Sequence, residues 1–124
     1  SKFALGSTEW LGWLGIDMEA EIDLGIEQSI SKLSCHVAQY NGSRCYIPQY
    51  IEAYTSNDGK SFNLAGRGSD YKEDKQGMGY MSVHFSPVSS RYVKVFAKNQ
   101  GIIPEGRPSA GGKAMMFVDE VIIE

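Results

Sequence analysis

Residues suited to recognising a polar ligand are concentrated in one short segment, Gln39–Tyr46, with the sequence QYNGSRCY. The ring of Tyr40 can stack on a ligand, and the guanidinium of Arg44 can donate two parallel hydrogen bonds to hydroxyls. The side-chain amides of Gln39 and Asn41 both donate and accept hydrogen bonds. This composition indicates binding rather than bond-making chemistry. The alternative is a polar hairpin loop that contains an ordinary tyrosine.

Catalytic side chains do not fall into a recognisable pattern. The chain has two histidines, His36 and His84. His36 could join the loop site if it points toward it, and His84 lies on the polar face of its strand, where we expect it to be exposed. The sequence contains no GxSxG, HExxH or glycine-rich phosphate loop. We expect Glu19 and Glu21 to be solvated on one strand face, so the sequence argues against an enzyme.

Length and charge restrict the partners of the chain. Its 124 residues suit one domain that can bury a core without disulfides or metals. The net charge of −3 argues against nucleic acid as a partner, because such binding needs a positive surplus. No apolar run approaches the ~18 residues of a membrane span, so we expect no membrane partner. The first residues, SKFAL, read like the middle of a longer sequence. We therefore expect a fragment whose targeting signal lies upstream.

Apolar and polar residues alternate along much of the chain, notably in Met18–Leu24, Tyr50–Thr55 and Tyr80–Phe85. This period predicts half-buried strands. Turn signals separate the runs: Asp23-Leu24-Gly25, Asn41-Gly42-Ser43, Asn57-Asp58-Gly59, Gly66–Ser69 and Ser86-Pro87. About seven short strands at this spacing predict an all-β fold, an antiparallel β-sandwich. No long amphipathic helix is predicted, and we expect the charged run Asp70–Lys75 (DYKEDK) to be a solvated loop.

The C-terminal strand, Met115–Ile123, is apolar on both faces. One face carries Phe117, Val121 and Ile123, and the other carries Met116, Val118 and Ile122. We expect such a strand to be central or covered by a loop. Asp119 and Glu120 interrupt it, and a carboxylate there needs a cation, an Arg or Lys, or backbone donors as its partner.

The two cysteines, Cys35 and Cys45, fit no zinc-binding spacing. Cys35 shares parity with Leu33 and Val37, which predicts a buried thiol. The alternative is a Cys35–Cys45 disulfide, which requires the two strands to be adjacent and in register.

Five short motifs occur in order along nearly the whole chain. They are STEW at Ser7–Trp10, DLG at Asp23–Gly25, YTSNDG at Tyr54–Gly59, RYVKV at Arg91–Val95 and EVI at Glu120–Ile122. Together they resemble the coagulation factor 5/8 type C, or discoidin-like, domains, whose bacterial members are the family 32 carbohydrate-binding modules. The segment from Ala97 to Glu120 is similar to the C-terminal discoidin-like domain of bacterial β-hexosaminidases and related glycosidases.

The resemblance implies a galactose-binding-like jelly-roll sandwich that here lacks its first strand. It also implies a non-catalytic accessory module of a periplasmic or extracellular bacterial glycoside hydrolase, binding terminal galactose- or N-acetylhexosamine-type sugars. The alternative is a structural module that packs against the catalytic domain and binds no sugar. An exposed Trp13, or an exposed Tyr40 beside Arg44, would favour binding, and a flat apolar loop end would favour packing.

In these domains the sugar is held by loops at one end of the sandwich. The matching loops are Trp10–Ile16, Gln39–Tyr46 and Asn99–Lys113. The expected ligand-binding residues are therefore Tyr40, Arg44, Trp13, Gln39, Asn41, His36 and Arg107. A structural calcium ion is common in the family, and the motif match assigns Glu120 and Thr8 as its ligands. The alternative is a Glu120 that is exposed or paired with a basic side chain.

Overall fold

The computed structural model describes the backbone of residues 3–40, 44–75 and 77–124, and the side chains of residues 14–40, 44–75 and 77–124. Within these residues the seven strands are β1 (Phe3–Leu14), β2 (Met18–Ala38), β3 (Ile51–Ser56), β4 (Asn63–Gly68), β5 (Asp70–Lys75), β6 (Met78–Ala97) and β7 (Met115–Ile123). All the named strands pair antiparallel. The predicted all-β, antiparallel fold is confirmed. In this described part of the chain, no helix has the length and apolar character that crossing a membrane requires.

Two long strands, β2 and β6, run through both layers of the sandwich. Met18–Asp23 of β2 pairs with Tyr92–Ala97 of β6, and the C-terminal half of β2 pairs with Met78–His84. Strands β3 and β4 continue the layer that contains the N-terminal part of β2 and the C-terminal part of β6. Strands β5, β7 and β1 belong to the layer that contains the other parts of β2 and β6. The inward side chains of both layers form one hydrophobic core, with Leu33 of β2 fully buried in it.

Several predicted turns lie inside strands. Gly25 is part of β2 and Pro87 is part of β6, and both stand where the register between these two strands shifts. Gly25 adopts a φ of 86°, and Pro87 has no amide hydrogen, so each interrupts the ladder without ending its strand. Gly66 and Gly68 lie in β4, which leaves only Ser69 between β4 and β5. The turn at Asn57-Asp58-Gly59 is confirmed.

The predicted loop at Asp70–Lys75 is wrong, because this segment forms β5 and pairs with β6. Its side chains are almost all exposed, so its sequence lacks the apolar alternation of a half-buried strand. Within the described sheet β5 pairs only with β6, which makes it an edge strand. Charged side chains suit an edge because they discourage pairing with another chain.

A bulge at Asp119 explains the two apolar faces of β7. The strand is central, between β1 and β2, as predicted. Glu120 pairs with His36 and Val118 pairs with Val37, so Asp119 is an extra residue that reverses the inward parity. The residues that join the single core are Met116 and Val118 before the bulge and Val121 and Ile123 after it. Most apolar side chains of β7 therefore face the same core, and burial of the strand on both faces is not needed to explain them.

Both cysteines are buried free thiols, which confirms the prediction for Cys35. Burial raises the pKa of the Cys35 thiol to about 12, so the thiol stays protonated and unreactive at neutral pH. His84, Glu19 and Glu21 are exposed, as predicted.

Candidate functional site

Four connections meet at one end of the sandwich: β1–β2, β2–β3, β5–β6 and β6–β7. The amide of Met115 donates to the carbonyl of Arg44 (2.7 Å), and the amide of Gly15 donates to the carbonyl of Ala114 (2.8 Å). The amide of Gln39 donates to the carbonyl of Gly77 (2.7 Å). The three segments predicted to share one end therefore do so. The first of them is shorter than expected, because β1 continues through Leu14.

Tyr40 and Arg44 both lie in the β2–β3 connection. The amide of Tyr40 donates to the carbonyl of Cys45 (2.8 Å), and the amide of Cys45 donates back to the carbonyl of Tyr40 (3.0 Å). Tyr40 is 46% exposed. Arg44 is exposed and has a φ of 63°, an uncommon conformation for a residue with a Cβ. An exposed tyrosine and an exposed arginine thus occupy neighbouring backbone positions at this end of the sandwich.

The β6–β7 loop approaches the β2–β3 connection closely. A Cβ built on Gly112 would lie 3.4 Å from the Arg44 Cζ, so the guanidinium rests against the Gly112 backbone. Arg107 lies over the ring of Tyr46, 5.9 Å from its centroid, and the Tyr46 hydroxyl donates to the carbonyl of Pro108 (2.8 Å). The structure therefore brings Tyr40, Arg44 and Arg107 to the same end of the sandwich.

Two positioning residues at this end are absent from the sequence-based set. Tyr46 is buried and fixes the β6–β7 loop through its hydroxyl. Asp17 accepts hydrogen bonds from the Asn99 amide (2.9 Å) and the Lys98 ammonium (3.3 Å), which ties the β1–β2 turn to the start of the same loop. Their partners are 62 and 82 residues away, so no local pattern signals either contact.

His36 lies away from the loop cluster, on the outer face of the second layer. Its Nδ1 is 2.7 Å from Asp119 Oδ1, and its Nε2 is 3.0 Å from Asp74 Oδ2. Its ring also packs on that of Tyr80, with 4.5 Å between centroids. The bulged Asp119 therefore has a histidine as its partner. The expectation that His36 joins the end-loop site is not supported, because two carboxylates hold the ring in place.

Glu120 contacts the same group of outer-face residues. Its Oε1 accepts a hydrogen bond from the Tyr80 hydroxyl (3.0 Å), and burial together with this bond raises the pKa of Tyr80 to about 12. Among the described side chains, no cluster of three His, Cys, Asp or Glu residues could hold a metal ion. The β1 backbone loses register with β7 between Gly6 and Leu11, opposite Asp119. A calcium ion at Glu120 would therefore need carbonyl oxygens of that irregular stretch as further ligands.

The side chains of three expected site residues lie outside what the structure describes. Asn41 is not described at all, and for Thr8 and Trp13 only the backbone is described. The backbone of Trp13 pairs with Met116, which places this residue in β1 near the loop end.

Substituting Gly77 tests whether the position of Tyr40 depends on this glycine. A Cβ at Gly77 would overlap the Tyr40 ring, whereas a Cβ at Gly111 would meet nothing. Both glycines have a positive φ, 80° and 85°, so Gly77→Ala and Gly111→Ala should each cost about 1–2 kcal/mol of unfolding free energy. Only Gly77→Ala should also shift the NMR signals of the Tyr40 ring. Equal Tyr40 spectra in the two variants would contradict the close contact.

Comparison with solved structures reveals similar folds, among them the following three. A family 32 carbohydrate-binding module of Clostridium perfringens, solved in complex with GalNAc-β-1,3-galactose, has a TM-score of 0.58 and 18% identity over 99% of this chain and 93% of that one. A chitobiase C-terminal domain of Bacteroides fragilis has a TM-score of 0.56 and 19% identity, over 88% of this chain and 63% of that one. Another family 32 module, from a family 31 glycoside hydrolase of Clostridium perfringens, has a TM-score of 0.54 and 21% identity, over 92% and 78%.

Comparison with sequences gives no further relative. No family model matches the chain, and no curated protein matches it. The chain spans 63% of the length of the chitobiase domain. The structural likenesses and the strand topology agree on one architecture, and the chain therefore has the discoidin-like β-sandwich fold of the family 32 carbohydrate-binding modules.

Proposed function

We propose that this chain is a non-catalytic carbohydrate-binding module whose end loops hold a terminal galactose- or N-acetylhexosamine-type sugar. The single observation that carries the proposal is the exposure of Tyr40 and Arg44 at neighbouring backbone positions, where the loops converge. An aromatic face binds the C–H side of a sugar ring, and a guanidinium forks to two hydroxyls. Arg107 and Gln39 lie at the same end and offer further donors.

The similar folds support a sugar over other polar ligands. One of the modules with this fold was solved with GalNAc-β-1,3-galactose, and another belongs to a glycoside hydrolase. By analogy, the chain is part of a periplasmic or extracellular bacterial glycoside hydrolase such as a β-hexosaminidase. Its role there is to keep the catalytic domain close to the glycan.

One observation favours the second candidate, a structural module that packs on a catalytic domain. Leu14, Ile16 and Ile102 are exposed at the loop end. Gly15 lies close to the side chain of Lys113, and Ile102 bridges to the Lys113 backbone, so the three apolar residues belong to segments that meet at Lys113. Exposed apolar groups that lie together often mark a contact surface.

Calorimetric titration of the folded chain with galactose, N-acetylgalactosamine and N-acetylglucosamine tests the first candidate. We expect saturable binding of at least one sugar in the millimolar range or tighter, because few polar groups contact a single sugar ring. A folded domain that binds none of the sugars, and none on a glycan array, would rule out a lectin-like role. That result would leave packing on the catalytic domain as the remaining role.

A structural calcium ion, with Glu120 and the Thr8 region as ligands, is part of the proposal. Calcium requires about six to eight oxygens, and the irregular β1 backbone opposite Asp119 can supply carbonyls. We expect added calcium to raise the melting temperature and a chelator to lower it, because an ion that binds only the folded state stabilises that state. Glu120→Gln should weaken this response. Melting that is indifferent to both calcium and chelator would exclude the ion.

A further inference from the structure

A second groove lies on the outer face of the second layer, on the strands rather than the end loops. It has a volume of about 480 Å³, within the range of small-molecule sites. Ser34, Ser82 and Ile122 occupy adjacent strands in one row of the sheet, because Ser34 pairs with both of the other two. Small side chains between larger neighbours create the depression. The residues around this row are Lys32, Lys72, Glu73, Asp74, Tyr80 and Glu124.

The floor of the groove combines apolar surface with spare hydroxyl capacity. Ile122 and Ser34 are both largely buried beneath it. The hydroxyls of Ser34 and Ser82 are 2.8 Å apart and share one hydrogen bond. Each hydroxyl has one donor hydrogen and two acceptor lone pairs, so one donor and several acceptor positions stay available to a ligand.

Tyr80, the one aromatic ring among the described residues that line the groove, is held rigidly. Tyr80 packs on His36 and donates its hydroxyl to Glu120 (3.0 Å). His36 is in turn held between Asp119 and Asp74. These contacts connect four strands, β2, β5, β6 and β7. A ring that is already ordered loses little entropy when a ligand binds against it.

The charged rim is mixed in sign. Lys32 and Lys72 line the groove together with Glu73, Asp74 and Glu124. Within the described part of the chain, neither lysine forms an ion pair. A rim that offers donors and acceptors together suits a neutral ligand with many hydroxyls better than an anion or a cation. The hydroxyls of such a ligand can use both kinds of group.

We propose that this groove is a second carbohydrate site, which holds a neutral pyranose against Tyr80 and Ile122 with the Ser34–Ser82 pair beneath it. The groove is separate from the Tyr40–Arg44 loop site, so either site can bind while the other does not. A module with both sites contacts a glycan at two points, and two linked contacts bind more tightly than either alone.

Amide NMR of the full chain, titrated with galactose, tests the groove. We expect saturable chemical-shift changes at the amides of Ser34, Ser82 and Tyr80. These changes should fit a binding curve that is distinct from the curve of the Tyr40 and Arg44 amides. The anionic comparator galacturonate should bind there more weakly, because it faces three rim carboxylates. No saturable shift at these amides would overturn the proposal, as would tighter binding of galacturonate. Shifts at Tyr40 and Arg44 report on the loop site independently.

Variants of the groove residues show where the shifts arise. Ser82→Leu fills the groove and should weaken galactose binding there at least tenfold, whereas the matched Ser82→Ala leaves the volume open and should lose less than threefold. If Ser82→Leu fails to fold, Lys72→Met removes one rim donor from an exposed position and should weaken binding by a few fold. If the galactose-induced shifts persist unchanged in folded Ser82→Leu, the sugar binds elsewhere. The same conclusion holds for unchanged shifts in Lys72→Met when that variant replaces Ser82→Leu. Arg44→Ala should leave the groove titration unchanged.

Discussion

Arg44→Ala is expected to weaken sugar binding at the loop site by about tenfold or more. A hydrogen bond from a charged group contributes roughly 1.5–3 kcal/mol, and each 1.4 kcal/mol corresponds to a factor of ten. The loss should be large because the guanidinium rests against Gly112 and is therefore ordered before the ligand arrives. Alanine retains a Cβ, so the backbone strain at the φ of 63° is preserved and the comparison isolates the guanidinium.

The matched control for this variant is Lys60→Ala. It removes one positive charge from the turn after β3, at the opposite end of the sandwich, and should leave affinity unchanged. Tyr40→Ala should reduce affinity by a similar factor to Arg44→Ala, since the ring supplies the stacking surface. Titration calorimetry measures all three variants. Wild-type affinity in both Arg44→Ala and Tyr40→Ala would remove the loop site from the proposed function.

Arg67→Ala is expected to cause a large loss of stability, lowering the melting temperature by several degrees. The Glu52 side chain, on the outer face of the first layer, is only 6% exposed, although it carries a charge. Arg67 donates to Glu52 Oε2 from both Nε (2.9 Å) and Nη2 (2.7 Å), and the Tyr54 hydroxyl donates to Oε1 (3.0 Å). Without Arg67, a buried carboxylate loses its countercharge, which is costly even where the pair itself adds little.

The chain contains a closely matched control in Arg91. This arginine also makes two hydrogen bonds to a carboxylate, that of Asp23. Each of the two arginines lies over a tyrosine ring, Arg67 over Tyr50 and Arg91 over Tyr92. The Asp23 side chain is 48% exposed, however, so water replaces the lost arginine. Arg91→Ala should therefore shift the melting temperature by a degree or less. Equal thermal shifts for the two variants would show that burial of Glu52 does not determine the cost.

The strands that could be predicted from the sequence are those with one buried face. Alternation in Met18–Leu24 and Tyr80–Phe85 identified parts of β2 and β6, because a period of two repeats along a half-buried strand. Strand β5 was missed because it is an exposed edge, where hardly any side chain must be apolar. Gly25 and Pro87 predict turns locally, yet long-range pairing carries both strands through these positions.

The sequence also grouped the loops of the candidate site correctly, by resemblance rather than by local pattern. Tyr40 and Arg44 are close in sequence, so their place in one loop could be expected. The position of Gly112 against Arg44, and the anchoring of the loops by Asp17 and Tyr46, join segments far apart in the chain. The assignment of His36 to the loop site was not supported, because its two carboxylate partners come from other strands.

By itself the sequence determined the all-β class, the burial of Cys35 and the exposed face of Glu19 and Glu21, since each follows from neighbours within a few residues. Only the tertiary structure decided that the Asp119 bulge turns both faces of β7 into one core. Only it brought His36, Tyr80 and Glu120 together beside a groove lined by two serines. These features depend on strand register, and register is set by pairing between distant segments that no single segment encodes.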